Sequence, residues 1–201
     1  MIKNKLNKMN HYRLILASTS SYRAELLDKL GLDYETYSPN VDETPCENED
    51  AKSLVMRLAQ AKAKAGNNGP NALVIGSDQV CVIDGNIIGK PGDRETAIAQ
   101  LQAQSNKTIH FYTGLALFNT ETRQCQTRLD TFSVTFRALS EEQITRYVDI
   151  EQPYFCAGSF KSEGLGIALF SKLSGKDPNT LVGLPLIDLV DMLANEGVHP
   201  F

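Results

Sequence analysis

Strand-like apolar runs and helical patterns follow one another along this chain without strict alternation, and that order most constrains the fold. Residues 12–17 (YRLILA) read as a strand, apolar enough to be central. Ser18, Thr19 and Ser20 break it, and Ser20 is placed to cap a helix. Ala24, Leu26, Leu27 and Leu30 then keep helical spacing until Gly31. A short strand at 34–38 enters a loop marked by Pro45. The next helix is predicted from about Asp50 to Ala65, with Leu54, Leu58, Ala61 and Ala65 on one face and residues 66–70 as its stop. A strand at 72–75 leads into Gly76-Ser77-Asp78, and 80–83 and 87–88 bracket a hairpin turn at Asp84-Gly85. Residues 95–102 are helical. The β-rich segments 108–118 and 127–136 form an antiparallel pair. Ser140 and Gln143 make a capping box for a helix through Tyr147. A glycine-rich loop at 157–166, a strand near 167–170 and a last helix over 185–194 complete the chain. Consecutive β segments mixed with helices argue against a purely doubly wound sheet. The expected class is α/β, with a mixed sheet flanked by helices.

The chain has 201 residues. At that size about 70% of the unfolded surface is buried on folding, so one core suffices without staples. Residues 12–201 are expected to form one domain, preceded by a frayed polar extension over 1–11. The net charge of −4 argues against a general grip on a nucleic-acid polymer. No apolar run approaches the ~20 residues of a membrane span, and the basic start lacks the apolar region of a secretory signal. The expected location is therefore cytoplasmic. The cysteines, 46, 81, 125 and 156, contain no CxxC pair, and Cys81 and Cys156 lie in apolar surroundings that predict buried thiols. His11, His110 and His199 are too few for a histidine metal centre or a Ser-His-Asp triad.

Six places could carry chemistry. The Ser18-to-Arg23 stretch puts hydroxyls, free amides and a guanidinium at a helix N-terminus, which suits a phosphate; an ordinary serine cap is the plain alternative. Asp78 follows an apolar strand, at a carboxyl end where α/β proteins bind ligands. Asp42 and Glu43, with Asp78, offer oxygen ligands to a hard divalent cation, against the alternative of a solvated acidic loop. Lys62 borders the apolar face of its helix, from which it either snorkels to solvent or reaches inward to phosphate. Lys90 is presented between Gly89 and Pro91, in a segment too short and too proline-bound to be a Walker loop. The polar loop around Glu163 carries small residues that let backbone approach a ligand.

The combination LILASTSSYRAELL, VDETP, RLAQAKA, IGSDQVC, GKP, FYTGLALF, CAGSFKSEGLG and NTLVGLPL resembles the Maf-like nucleotide pyrophosphatases, from about Arg13 to Asn195. The resemblance implies a fold like that of the ITP pyrophosphatases, two lobes around a central cleft, and hydrolysis of a nucleoside triphosphate to the monophosphate and pyrophosphate. It implies that Ser18, Ser20 and Arg23 bind the phosphate chain, with Lys62 and Lys90 on phosphate oxygens. It further implies that Glu43 and Asp78 hold a divalent cation (Mg²⁺, Mn²⁺ or Co²⁺), with Asp78, Glu43 and Lys62 as the catalytic group. Such chemistry relies on positioning, metal and cations more than on covalent catalysis.

Within the family, members acting on dTTP and UTP carry SPRR, SDT and a late-loop Gln. Here Tyr22, Gln79 and Glu163 stand at those positions, and they resemble the subgroup acting on 7-methyl-GTP, where Trp and Pro are usual in place of Tyr22 and Ser21. An aromatic face attracts a cationic 7-methylguanine ring by about 0.5–2 kcal/mol, and a carboxylate accepts from its N–H edge. The implied role is the clearing of modified nucleotides. A dTTP/UTP pyrophosphatase and a nucleotide-binding regulator of cell division remain as alternatives. The implied partner is a small nucleotide, and a homodimer is compatible with the sequence.

Overall fold

The computed structural model describes residues 12–65 and 69–201, so the extension expected over 1–11 and the 66–68 part of the expected helix stop lie outside the described residues. The strands are β1 (Arg13–Ala17), β2 (Glu35–Tyr37), β3 (Ala72–Ile83), β4 (Asn86–Ile88), β5 (Thr108–Asn119), β6 (Cys125–Phe136) and β7 (Phe170–Gly175). The helices are α1 (Ser21–Asp28), α2 (Ala51–Lys64), α3 (Arg94–Gln104), α4 (Glu141–Glu151) and α5 (Leu186–Asn195). The sheet order is β2-β1-β3-β5-β6-β7, with β4 on β3. β1 runs parallel to β2 and β3, whereas β4 pairs antiparallel with β3 and β7 with β6. The expected α/β class with a mixed sheet flanked by helices is the fold observed. No helix of the described residues is long and apolar enough to cross a membrane.

The chain divides into two compact units. The first holds the described chain up to Gln79 with Thr113–Asp130 and Asp177–Phe201; the second holds Val80–Tyr112 and Thr131–Lys176.

In the first unit both sheet faces are covered, which is why β1 and β3 read as unbroken apolar runs. Leu14, Leu16, Leu73, Ile75, Leu115 and Leu117 pack with Leu27 of α1 and Leu189, Met192 and Leu193 of α5. The alternate residues Ile15, Ala17, Ala72, Val74, Ala116 and Phe118 pack with Ala59 and Ala63 of α2. The period of two puts neighbours on opposite faces. On the α2 face the approach is very close. A Cβ at Gly76 would lie 2.2 Å from the Ala59 carbonyl oxygen, and one at Gly114 would lie 2.2 Å from that of Val55.

The second unit is built on an aromatic cluster. Phe160 meets Phe111, Phe136 and Phe170 edge-on at centroid distances of 5.5, 5.7 and 4.8 Å. Asp84 and Gly85 take positive φ of 49° and 82° at the β3–β4 turn, as the hairpin signal required. Ser140 and Gln143 form the expected capping box.

Three local expectations are corrected. The strand predicted at 72–75 does not end before Asp78 but continues to Ile83, so Asp78 lies inside a strand and not at its carboxyl end. Its small and polar GSDQ stretch keeps the extended backbone. Residues 165–169 form a 3₁₀ turn and the strand starts at Phe170, because a short apolar run carries no period that separates strand from helix. Cys81 is buried as expected, but Cys156 is only partly buried.

Candidate active site

Helix α2 brings Lys62 inward. Asp50 caps its N-terminus by accepting from the Ser53 amide at 2.7 Å, and Gly76 lets the helix settle onto β3. Lys62 is only 7% exposed, so its stem does not snorkel. Its ammonium lies 2.6 Å from Asp78 Oδ1 and 2.7 Å from Glu43 Oε1. Burial pushes the Asp78 carboxyl above its ordinary pKa, and the Lys62 and Arg23 charges oppose that shift. Glu43 is exposed, on the connection between β2 and α2.

That connection is not a loose acidic loop. Arg57 of α2 donates from Nε and Nη2 to the two Glu49 carboxylate oxygens, both at 2.7 Å, and from Nη2 to the Thr44 carbonyl at 3.1 Å. These hydrogen bonds, with one from the Cys46 amide, hold the Glu49 carboxyl down at about 2. The clamp fastens Thr44 and Glu49, on the α2 side of Glu43. The sequence offered a solvated acidic loop only as the alternative reading, and it gave Glu49 and Arg57 no role.

The Ser18–Arg23 turn is the N-terminus of α1. Ser20 Oγ accepts from the Arg23 amide at 3.4 Å as the cap. Buried Ser18 accepts from the Ser20 amide at 3.2 Å and from Arg23 Nη1 at 3.4 Å. Arg23 Nε donates to the Gly183 carbonyl at 2.9 Å. Burial lowers the Arg23 pKa, against the attraction of the Asp78 and Glu43 carboxylates. Ser77, fully buried, donates to the Gly114 and Gly183 carbonyls at 3.0 and 2.9 Å. Gly183, at φ +112°, therefore anchors both the guanidinium and the strand. Ser77 and Gly183 were missed from the sequence, because a main-chain acceptor leaves no side-chain signature.

Gln79 points to the face opposite Asp78 and donates to Thr113 Oγ1 at 2.9 Å and the Thr180 carbonyl at 2.5 Å. Tyr22 is half-buried in the first turn of α1. The first unit thus carries Ser18, Ser20, Tyr22, Arg23, Glu43, Lys62, Asp78 and Gln79. Lys90 and Glu163 belong to the second unit, and both are exposed. Glu163 Oε2 accepts from Ser162 Oγ at 3.1 Å.

Among the described residues no group of three or more His, Cys, Asp or Glu is arranged to hold a metal. A Mg²⁺-type site does not need one, since it takes one or two carboxylates and completes its shell with water and substrate phosphate. Glu43 and Asp78 fit that demand, because one oxygen of each lies within 2.7 Å of the same nitrogen.

The sequence model of the Maf-like protein family matches residues 13–196. The chain belongs to the Maf-like family. It is 62% identical over 191 residues to the 7-methyl-GTP pyrophosphatase of Vibrio vulnificus, covering 95% of this chain and 98% of that protein. The proteins of the same name from Idiomarina loihiensis and Vibrio cholerae are 56% and 57% identical, covering 93% and 95% of this chain and 96% and 99% of their own. In fold, this Maf-like chain is similar to the Ham1 proteins of Staphylococcus aureus and Coxiella burnetii. Each gives a TM-score of 0.51 at 14% and 15% identity, over 92% of this chain and 100% and 99% of theirs.

Proposed function

We propose that this chain hydrolyses 7-methyl-GTP across its α–β anhydride, giving 7-methyl-GMP and pyrophosphate. The observation that carries the reading is the buried Lys62 ammonium held between Asp78 and Glu43, with Arg23 nearby, in a chain whose relatives bear that name. Water adds to phosphorus, the bridging P–O bond breaks, and pyrophosphate leaves. Asp78 takes the proton of the attacking water. Its raised pKa makes it a better base than an ordinary carboxylate, and the Lys62 charge opposes that rise by favouring the ionised form. Lys62 and Arg23 then offset charge developing on phosphate oxygens. A divalent cation held by Glu43 and Asp78 would supply further charge neutralisation there. Ser18 and Ser20 are assigned to the phosphate chain on their match to the family motif, at the N-terminus of α1, where helix amides favour an anion.

Base selection is assigned to Tyr22, Gln79 and Glu163, and a phosphate contact to Lys90, on their match to the motifs of the 7-methyl-GTP subgroup. A reducing, cytoplasmic setting fits the four free cysteines. The test is kcat/KM for 7-methyl-GTP, GTP, dTTP and UTP with Mg²⁺ or Mn²⁺, on wild type and Glu163→Gln. The wild type should prefer 7-methyl-GTP. Glu163→Gln should lose roughly one to two decades on it, the worth of one charge-assisted hydrogen bond. A preference for dTTP or UTP would overturn the base assignment, and absence of pyrophosphate from every nucleotide would overturn the enzyme.

A further inference from the structure

Gln79 is held more tightly than a side chain that merely lines a site. Its amide nitrogen has two hydrogens, and both are used: one on Thr113 Oγ1 at 2.9 Å, one on the Thr180 carbonyl at 2.5 Å. The Thr180 carbonyl can only accept. Turning the amide over would press two oxygens together at that distance, so the orientation of Gln79 is fixed by chemistry. Thr113 and Thr180 are themselves fully buried. Thr113 Oγ1 also donates to the Thr180 carbonyl at 3.2 Å, and the Thr180 hydroxyl donates to the buried carboxylate of Asp130. Gln79 Oε1 accepts no hydrogen bond among the described residues, yet it is not one of the sealed, unsatisfied oxygens; Gln104 Oε1 alone is. The half-buried Gln79 therefore has one polar group left for a ligand, and that group is an acceptor.

We propose that Thr113 and Thr180, braced by Asp130, are positioning residues that make Gln79 an acceptor-only reader of the base. The inference rests on the reading of Gln79 as a base-facing residue. An acceptor suits an edge that carries adjacent N–H donors, as guanine does at N1 and N2, and the positive ring of 7-methylguanine strengthens both. Uracil and thymine present one N–H flanked by two carbonyl oxygens, and a locked acceptor meets at least one of those oxygens unfavourably. A hydroxyl at position 79, as in the pyrimidine subgroup, both donates and accepts and carries no such bias. Selectivity at this position thus lies in the lock as much as in the glutamine.

The test is Thr113→Val, which keeps the shape and removes the hydroxyl, beside Thr113→Ser, which restores it, and Gln79→Ala. For each, kcat and KM are measured on 7-methyl-GTP and UTP, with the melting temperature as a control on folding. In Thr113→Val the Gln79 amide is left on one tether, the Thr180 carbonyl, and can pivot about it to bring its other N–H to a carbonyl of the base. The ratio of kcat/KM for 7-methyl-GTP over UTP should fall about threefold to tenfold, mainly through KM, and Thr113→Ser should recover it. An equal loss on both nucleotides would mean a merely structural role and would overturn the lock. An unchanged ratio in Thr113→Val, with a collapsed ratio in Gln79→Ala, would overturn the lock while leaving Gln79 as a base contact. A wild type that prefers UTP would sink the substrate reading itself, and the lock with it, before any variant is measured.

Discussion

The contact between α2 and β3 gives the sharpest forecast. Replacing Gly76 with Ala puts a Cβ 2.2 Å from the Ala59 carbonyl oxygen, 2.6 Å from the Ala63 amide nitrogen and 3.0 Å from Ala63 Cβ. The first two are backbone atoms and cannot swing aside. Ordinary contact needs about 3.4 Å, so helix and strand must part by roughly 1 Å. Overpacking of this kind costs about 1–3 kcal/mol, which for a chain of this length lowers the melting temperature by roughly 2–12 °C. The same movement draws Lys62 away from Asp78, whose hydrogen bond is 2.6 Å in the unperturbed protein. A 1 Å misplacement in a catalytic group can cost up to about 10²-fold in rate, so kcat should fall along with stability. The assay is thermal unfolding by circular dichroism beside steady-state hydrolysis of 7-methyl-GTP. Gly89→Ala is the comparison for stability, since a Cβ there meets nothing within 4 Å. If Gly76→Ala melts within about 1 °C of Gly89→Ala, the close approach does not hold α2 in place and the reasoning fails.

Asp78→Asn should leave the protein folded and remove most of kcat with little change in KM, and near-normal turnover would refute the assignment of Asp78 to the chemical step. Thorough chelation with EDTA should abolish hydrolysis without lowering the melting temperature, because no structural metal cluster is built into the described residues; undiminished activity after chelation would contradict the Glu43–Asp78 cation site. Glu49 has a folded-state pKa of about 2 against an ordinary 4.5, so its stabilising contribution is complete above 4.5 and lost as pH falls towards 2. Glu49→Gln should therefore melt below wild type at neutral pH, with the gap closing across that acid window; a gap independent of pH would mean that the Arg57 pair contributes nothing through charge.

Much of this fold was legible because local chemistry and tertiary structure agree. The caps at Ser20 and Ser140 form where the sequence put them, and the helix expected from about Asp50 starts there, with Asp50 as its cap. The Asp84-Gly85 turn adopts the positive φ that its residues favour. Legibility failed where a residue's role depends on what lies across from it. GSDQ looks like a strand end, since Gly, Ser and Asp are poor strand formers, yet β3 continues through it with Ser77 and Gln79 donating to the 180–183 segment on one face. Lys62 borders an apolar helix face, and pattern alone cannot choose between solvent and interior. The choice is made by two glycines far along the chain, Gly76 and Gly114, which let α2 close on the sheet. Thr113 and Thr180 carried no signal of their own, since each acts through a glutamine that is distant in sequence.

Counting donors shows how the site is set to receive an anion. An ammonium has three N–H groups, and Lys62 gives hydrogen bonds in two directions, to Asp78 and to Glu43. One donor is left for a phosphate oxygen. A guanidinium has five, and Arg23 spends Nε on the Gly183 carbonyl and one Nη1 hydrogen on a long contact to Ser18. Most of its fork remains for phosphate. Two carboxylates hold Lys62, and a carbonyl and a hydroxyl hold Arg23, before the substrate arrives and without exhausting their donors, so little reorganisation is needed when the phosphate chain binds. The same count explains why Asp78→Asn separates placement from chemistry. An amide at position 78 keeps an oxygen that accepts from Lys62, so the ammonium stays in place and the phosphate is still gripped. What the amide lacks is the negative charge that takes a proton from water and holds a divalent cation, and the loss falls on kcat.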